Sequence, residues 1–92
     1  MNEIIRQLKQ ARRDRGLKQA ELGGKLGLPQ SHISKIEQGA TDPRLSTLAD
    51  MARVLDRELV LVPRAMLPAI RAVLSGEQAL RPRWQPDEED GE

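Results

Sequence analysis

Through the first 55 positions, apolar residues recur at steps of three and four, the spacing that puts them on one face of an α-helix. Ile4, Ile5, Leu8 and Ala11 keep such a face apolar while Arg and Gln fill the other, which predicts a helix over about 3–15. Gly16 follows as the residue that ends it in left-handed conformation. Leu22 and Leu26 lie one turn apart in a shorter helix over about 18–25, closed by Gly27. Pro29 can open the next helix, because a first-turn residue needs no N–H. That helix, about 30–38, turns Ile33 and Ile36 inward and its polar residues outward, and it stops at Gly39. After the loop ATDPR, with Pro43 biasing Asp42 towards extended backbone, a fourth helix over about 45–55 is carried by Leu45, Leu48, Ala49, Ala52 and Leu55.

The pattern then changes. Glu58 to Val62, ELVLV, is apolar on both faces, rich in β-branched residues and bounded by Asp56 and Pro63, which predicts a strand. No other segment resembles one, and a lone strand leaves its backbone donors and acceptors unpaired. The simplest partner is the same strand of a second copy. A homodimer is therefore expected, joined through Leu59, Val60, Leu61 and Val62. The bland alternative is an irregular extension packed on the fourth helix. Leu67, Ile70, Val73 and Leu74 indicate a fifth helix over about 64–75, with Pro68 in its first turn or kinking it. From Gly76 apolar content collapses, so residues 76–92 are expected to be a disordered acidic tail. The resulting division is 1–57, 58–75 and 76–92.

Composition narrows the chemistry. The 92 residues include no Cys, Phe or Tyr, which excludes disulfides, thiolate metal sites and a Cys nucleophile and leaves an aliphatic core. A core so small stabilises only marginally by itself, a second reason to expect association. No apolar run approaches the roughly 20 residues of a membrane span, and the N-terminus lacks a long apolar signal segment, so a cytoplasmic protein with no membrane partner is expected. The net charge of +1 hides an asymmetry: residues 1–75 hold 13 Lys and Arg against 8 acids, and residues 76–92 hold 2 against 6. A basic body suits a polyanion partner, and the acidic tail suits interaction or solubility.

The stretch from Gln19 to Glu37, QAELGGKLGLPQSHISKIE, places two short helices around a turn of about three residues, with the second helix polar on its outer side. This geometry lets one helix enter the DNA major groove while the other crosses the backbone. Leu22, Leu26, Ile33 and Ile36 fill the space between the helices, Gly23 supplies a small residue at their crossing and Gly27 permits the turn. Other chemistries fit poorly. His32 has no second ligand at metal-binding spacing and is expected on the surface or near a phosphate. The GGK at Gly23 to Lys25 lacks the remaining positions of a phosphate loop, and Ser31, His32 and Ser34 on one short helix make no triad. No enzyme, cofactor or metal is expected.

This stretch, with GLKQAEL at its start and IEQG at its end, resembles the Xre/Cro family of helix-turn-helix repressors over about residues 4–56. The resemblance implies an all-α, lambda-repressor-like domain of four to five helices that binds operator DNA as a dimer on an inverted repeat. The family's pattern implies that Gln30, Ser31, Ser34 and Lys35 face base edges or the adjacent backbone, that Gln19 donates to a phosphate, and that Lys18, Arg13 and Arg44 are further phosphate contacts. His32 stands beside this set. Arg12 and Glu37 occupy positions that form an internal ion pair. The chain departs from the pattern at Gly23-Gly24, where Ala and a polar helix former are more usual, and at Pro29, where a Ser or Thr cap is expected. Each interior Gly costs a helix roughly 1 kcal/mol. An Xre-type domain followed by ELVLVP and a short extension is also similar to the HipB-type antitoxins, which implies autorepression and a HipA-like kinase toxin as partner; a stand-alone Xre-type regulator is the alternative. Trp84, the only aromatic residue, lies in the acidic tail and is expected to anchor a protein partner rather than a core or DNA.

Overall fold

The computed structural model describes the backbone of residues 2–84 and the side chains of residues 3–76. The described residues form α1 (Asn2–Asp14), α2 (Gln19–Leu26), α3 (Gln30–Glu37), α4 (Leu45–Val54), a single 3₁₀ turn at Arg64–Met66 and α5 (Leu67–Trp84). The chain divides into two compact units, Met1–Leu59 and Val60–Glu92.

In the first unit, α2 packs on α3 and α4, and α1 packs on α3. Their shared core is aliphatic: Ile5, Leu8 and Ala11 from α1, Leu22 from α2, Ile33 and Ile36 from α3, and Leu48, Met51, Ala52 and Leu55 from α4 and its end. Leu22, Ile33, Ile36 and Leu55 have no solvent exposure at all. Leu17, Leu26, Leu28 and Leu59 are half-buried around its rim. The expected inward face of α4 is corrected at its start, because Leu45 is 73% exposed and Met51 occupies the core instead. A first-turn residue can match the helical period and still project beyond the neighbouring helix.

The end of α4 is built from an unusual residue. Asp56 has φ +59°, in the left-handed region that an L side chain enters at a cost, and Arg57 N–H closes the helix on Ala52 O at 2.7 Å. The chain leaves this turn without regular structure. The strand expected over 58–62 is not present: no strand occurs among the described residues, and 57–63 carry no regular structure. A strand exists only as part of a ladder, and no second strand among the described residues supplies one.

The second unit has no buried side chain among those described. Pro63 N-caps the 3₁₀ turn, Met66 N–H donates to Pro63 O at 2.9 Å, and α5 begins at Leu67 with Pro68 in its first turn, where a missing N–H is harmless. The helix does not stop near Ser75 as expected but continues past Gly76 to Trp84. Gln78, Ala79, Leu80 and Arg81 are good helix formers, and propagation from an existing helix needs no new nucleus. The remainder of the expected acidic tail, residues 85–92, lies outside the described residues, as does the Trp84 side chain.

Candidate nucleic-acid interface

The turn between α2 and α3 is set by two glycines with different tasks. Gly27 ends α2 with φ +70°, ψ +29°, the left-handed conformation that reverses the chain without strain in glycine alone. Gly23 is needed for contact distance. A Cβ there would lie 2.4 Å from the carbonyl oxygen of Leu28, and Leu28 N–H donates back to Gly23 O at 2.9 Å. The departure of Gly23 from the usual Ala therefore has a local cause: the turn backbone sits directly on α2. Gly24 has no such neighbour within 4 Å. Pro29 then N-caps α3 without any side-chain hydrogen bond, and α3 enters with His32 N–H donating to Pro29 O at 3.0 Å.

A buried polar group braces this motif from behind. Arg12 Nε donates to Glu37 Oε2 at 2.7 Å and its Nη2 donates to Glu37 Oε1 at 3.0 Å, a two-pronged pair joining α1 to α3. The remaining prong, Arg12 Nη1, donates to Leu17 O at 2.7 Å, so the guanidinium also holds the loop before α2. Arg12 and Glu37 are each only 8% exposed. Desolvating both charges is costly, and the pairing offsets that cost because all three guanidinium nitrogens donate and both carboxylate oxygens accept. The ion pair implied by the family's pattern is thus present.

The network runs on to the surface. Gln19 Nε2 donates to Glu37 Oε1 at 2.9 Å, and Gln30 Nε2 donates to Gln19 Oε1 at 2.7 Å. This joins the first residue of α2 to the first residue of α3. Gln19 is half-buried, with one amide hydrogen already engaged inward, so only the other is left for a phosphate. Residue spacing did not reveal this link. At the N-terminal end of α2, Lys18 N–H donates to Glu21 Oε1 at 2.7 Å, half of a capping box that the Glu three residues into the motif signals.

On the outer side of α3, Gln30, Ser31, His32 and Lys35 are exposed. Ser34 is half-buried and its hydroxyl accepts from Gln38 Nε2 at 3.1 Å, which leaves it less available than the sequence suggested. Lys18, Arg13 and Arg44 are exposed and enter no described ion pair. Arg44 precedes α4 as its N-cap, Arg13 lies in the last turn of α1 and Lys18 precedes α2. Among the described residues no group of three or more His, Cys, Asp or Glu could hold a metal ion, and no helix is long and apolar enough to cross a membrane.

Comparison with known proteins converges on the same motif. The Helix-turn-helix family model matches residues 8–62. The chain is 47% identical over 76 residues to a protein of Sinorhizobium fredii named "Uncharacterized HTH-type transcriptional regulator y4dL" and 35% identical over 60 residues to an "Uncharacterized HTH-type transcriptional regulator" of Haemophilus influenzae. These matches cover 83% and 65% of this chain but only 39% and 61% of the relatives, so the chain spans less than two thirds of the length of either. No solved structure matches it significantly. With α2, its glycine turn and α3 all inside the matched span, the chain belongs to the Xre-type helix-turn-helix family.

Proposed function

We propose that this protein is a sequence-specific DNA-binding transcriptional regulator that reads its site with α3. The carrying observation is the division of that helix: Ile33 and Ile36 are wholly buried while Gln30, Ser31, His32 and Lys35 are exposed beside them. A short helix rigidly anchored on one side and polar on the other is what major-groove insertion requires. Gln30 suits adenine and Lys35 suits guanine, each pairing worth about 1–3 kcal/mol of discrimination. Ser31 and Ser34 would meet base edges or the adjacent backbone, His32 would lie near a phosphate, and Gln19, Lys18, Arg13 and Arg44 would serve the phosphates, which supply affinity but no sequence information.

The finer reading is a homodimer on an inverted repeat, with half-sites about one helical turn apart. Leu59, Val60, Leu61 and Val62 would pair with the same segment of a second copy. The exposure of Val60 (71%) and Leu61 (102%) supports that role. The segment ELVLVP further supports an antitoxin that represses its own operon and binds a HipA-like kinase toxin, with Trp84 at the end of α5 as an anchor for that partner. Equal partner affinity of the full chain and a chain ending at Ser75 would dismiss the Trp84 role. A neighbouring kinase-like gene that is toxic when expressed alone is the observation that supports the antitoxin role, and without it the stand-alone regulator stands.

The DNA-binding reading is tested by gel shift. At about 150 mM salt, fragments of the gene's own promoter are expected to bind at least about a thousandfold more tightly than random duplex. Equal binding of the two would reject autorepression.

A further inference from the structure

Glu37 does more than hold Arg12. Its carboxylate, ion-paired to Arg12, is an acceptor with no hydrogen to give, and at 8% exposure its partners are protein groups rather than bulk water. Gln19 meets it with Nε2, 2.9 Å from Oε1. No other orientation of that amide works, since turning it over would set a carbonyl oxygen against a carboxylate oxygen with no hydrogen between them. Glu37 therefore decides which way round Gln19 faces. With its NH2 group turned inward, Gln19 presents Oε1 outward, and only a donor can meet that atom. Gln30 does so with Nε2 at 2.7 Å, so the second amide is oriented by the first.

The consequence falls on the exposed end of the chain. Gln30 keeps its carbonyl oxygen and one amide hydrogen free, in a fixed order. In the major groove adenine offers an N7 acceptor and an N6 donor side by side, and guanine offers two acceptors. An amide held in one order matches the adenine edge. The reversed order at the same backbone position would put its oxygen against N7. We infer that Glu37 is a positioning residue for base selectivity: through Gln19 it sets the polarity of the Gln30 amide and makes Gln30 select adenine. This inference rests on the proposed DNA-binding function.

The test uses the full chain. Sites are selected from a pool of randomised duplexes, and affinity is then measured with each base at each position of the selected site. The position read by Gln30 is the one where Gln30→Ala removes discrimination, and the unsubstituted protein should favour adenine there by about 5- to 150-fold. In Glu37→Gln, residue 37 can accept or donate, Gln19 loses its imposed orientation, and adenine preference at that single position should fall to about 3-fold or less while other positions keep theirs. Because Glu37→Gln leaves Arg12 buried without its charge partner, the combined Arg12→Met and Glu37→Met variant provides a second reading. It removes both charges together, and the same single-position loss is expected. Unchanged preference at that position in either folded variant overturns the inference, as does an equal loss at every position or a Gln30→Ala protein that discriminates like the unsubstituted one. If the unsubstituted protein selects no sequence at all, the DNA-binding function itself fails, which the selection step reveals before any Glu37 variant is compared.

Discussion

The two units of this chain treat similar apolar residues in opposite ways. In Met1–Leu59, Leu22, Ile33, Ile36 and Leu55 are wholly buried, and even the charged Arg12 and Glu37 are enclosed with their hydrogen bonds made. In Val60–Glu92, Val60, Leu61, Met66, Val73 and Leu74 remain 44–102% exposed, and no described side chain is buried. The contrast separates two sources of order. The first unit closes its own core and so specifies its geometry to within hydrogen-bonding distance, as the relay from Arg12 to Gln30 requires. The second unit is ordered locally, by helix propensity and by Pro63 and Pro68 at helix starts, and its apolar surface is the part of the chain that gains most from association.

The sharpest way to break this contrast is by truncation. Ile33→Ala should cost about 2–5 kcal/mol in urea or thermal unfolding, through lost burial and the cavity left between α2 and α3. Val73→Ala, at a position 69% exposed, should change stability by no more than about 0.5 kcal/mol at a fixed low protein concentration. Equal effects would dissolve the distinction between the units. Next in size are the glycines. Gly23→Ala should cost about 1–3 kcal/mol, because backbone must move to relieve a 2.4 Å contact with Leu28 O. Gly24→Ala, with open space around it, should add up to about 1 kcal/mol of stability. Both are read by thermal denaturation.

Leu61→Asp probes the second unit through association. In sedimentation equilibrium the dimer proposed for this protein should shift to monomer, with the helical circular dichroism retained. A mass unaffected by the substitution would remove 59–62 from the interface. A modest gain is expected at the junction. Asp56→Gly relieves a left-handed backbone at the end of α4 and should stabilise by about 0.5–1 kcal/mol.

Legibility in the sequence follows the same division. Helices α1 to α4 were readable because burial on one side imposes a period, and Ile5, Leu8, Leu22, Ile33, Ile36 and Leu48 record it. Leu45 misled because it keeps the period without reaching the core. In Glu58 to Val62 the residue types favour a strand, yet a strand is held only within a ladder, so propensity alone leaves the segment without regular structure. The continuation of α5 past Gly76 is hidden in the sequence by the fall in apolar content there, although helix-forming residues follow. Of the candidate site, the exposed residues of α3 could be named from their spacing. The Gln19–Glu37 and Gln19–Gln30 bonds could not, since they join residues 18 and 11 apart that meet only when the turn has closed.

The central claim is that α3 reads DNA, and it is tested most directly by competition gel shift with Gln30→Ala combined with Lys35→Ala. The substituted chain should melt at the temperature of the unsubstituted protein and still bind duplex DNA, but its preference for the selected site over random duplex should fall by about 30-fold or more. Retention of the full preference by a folded double variant would contradict the assignment of α3 as the reading helix.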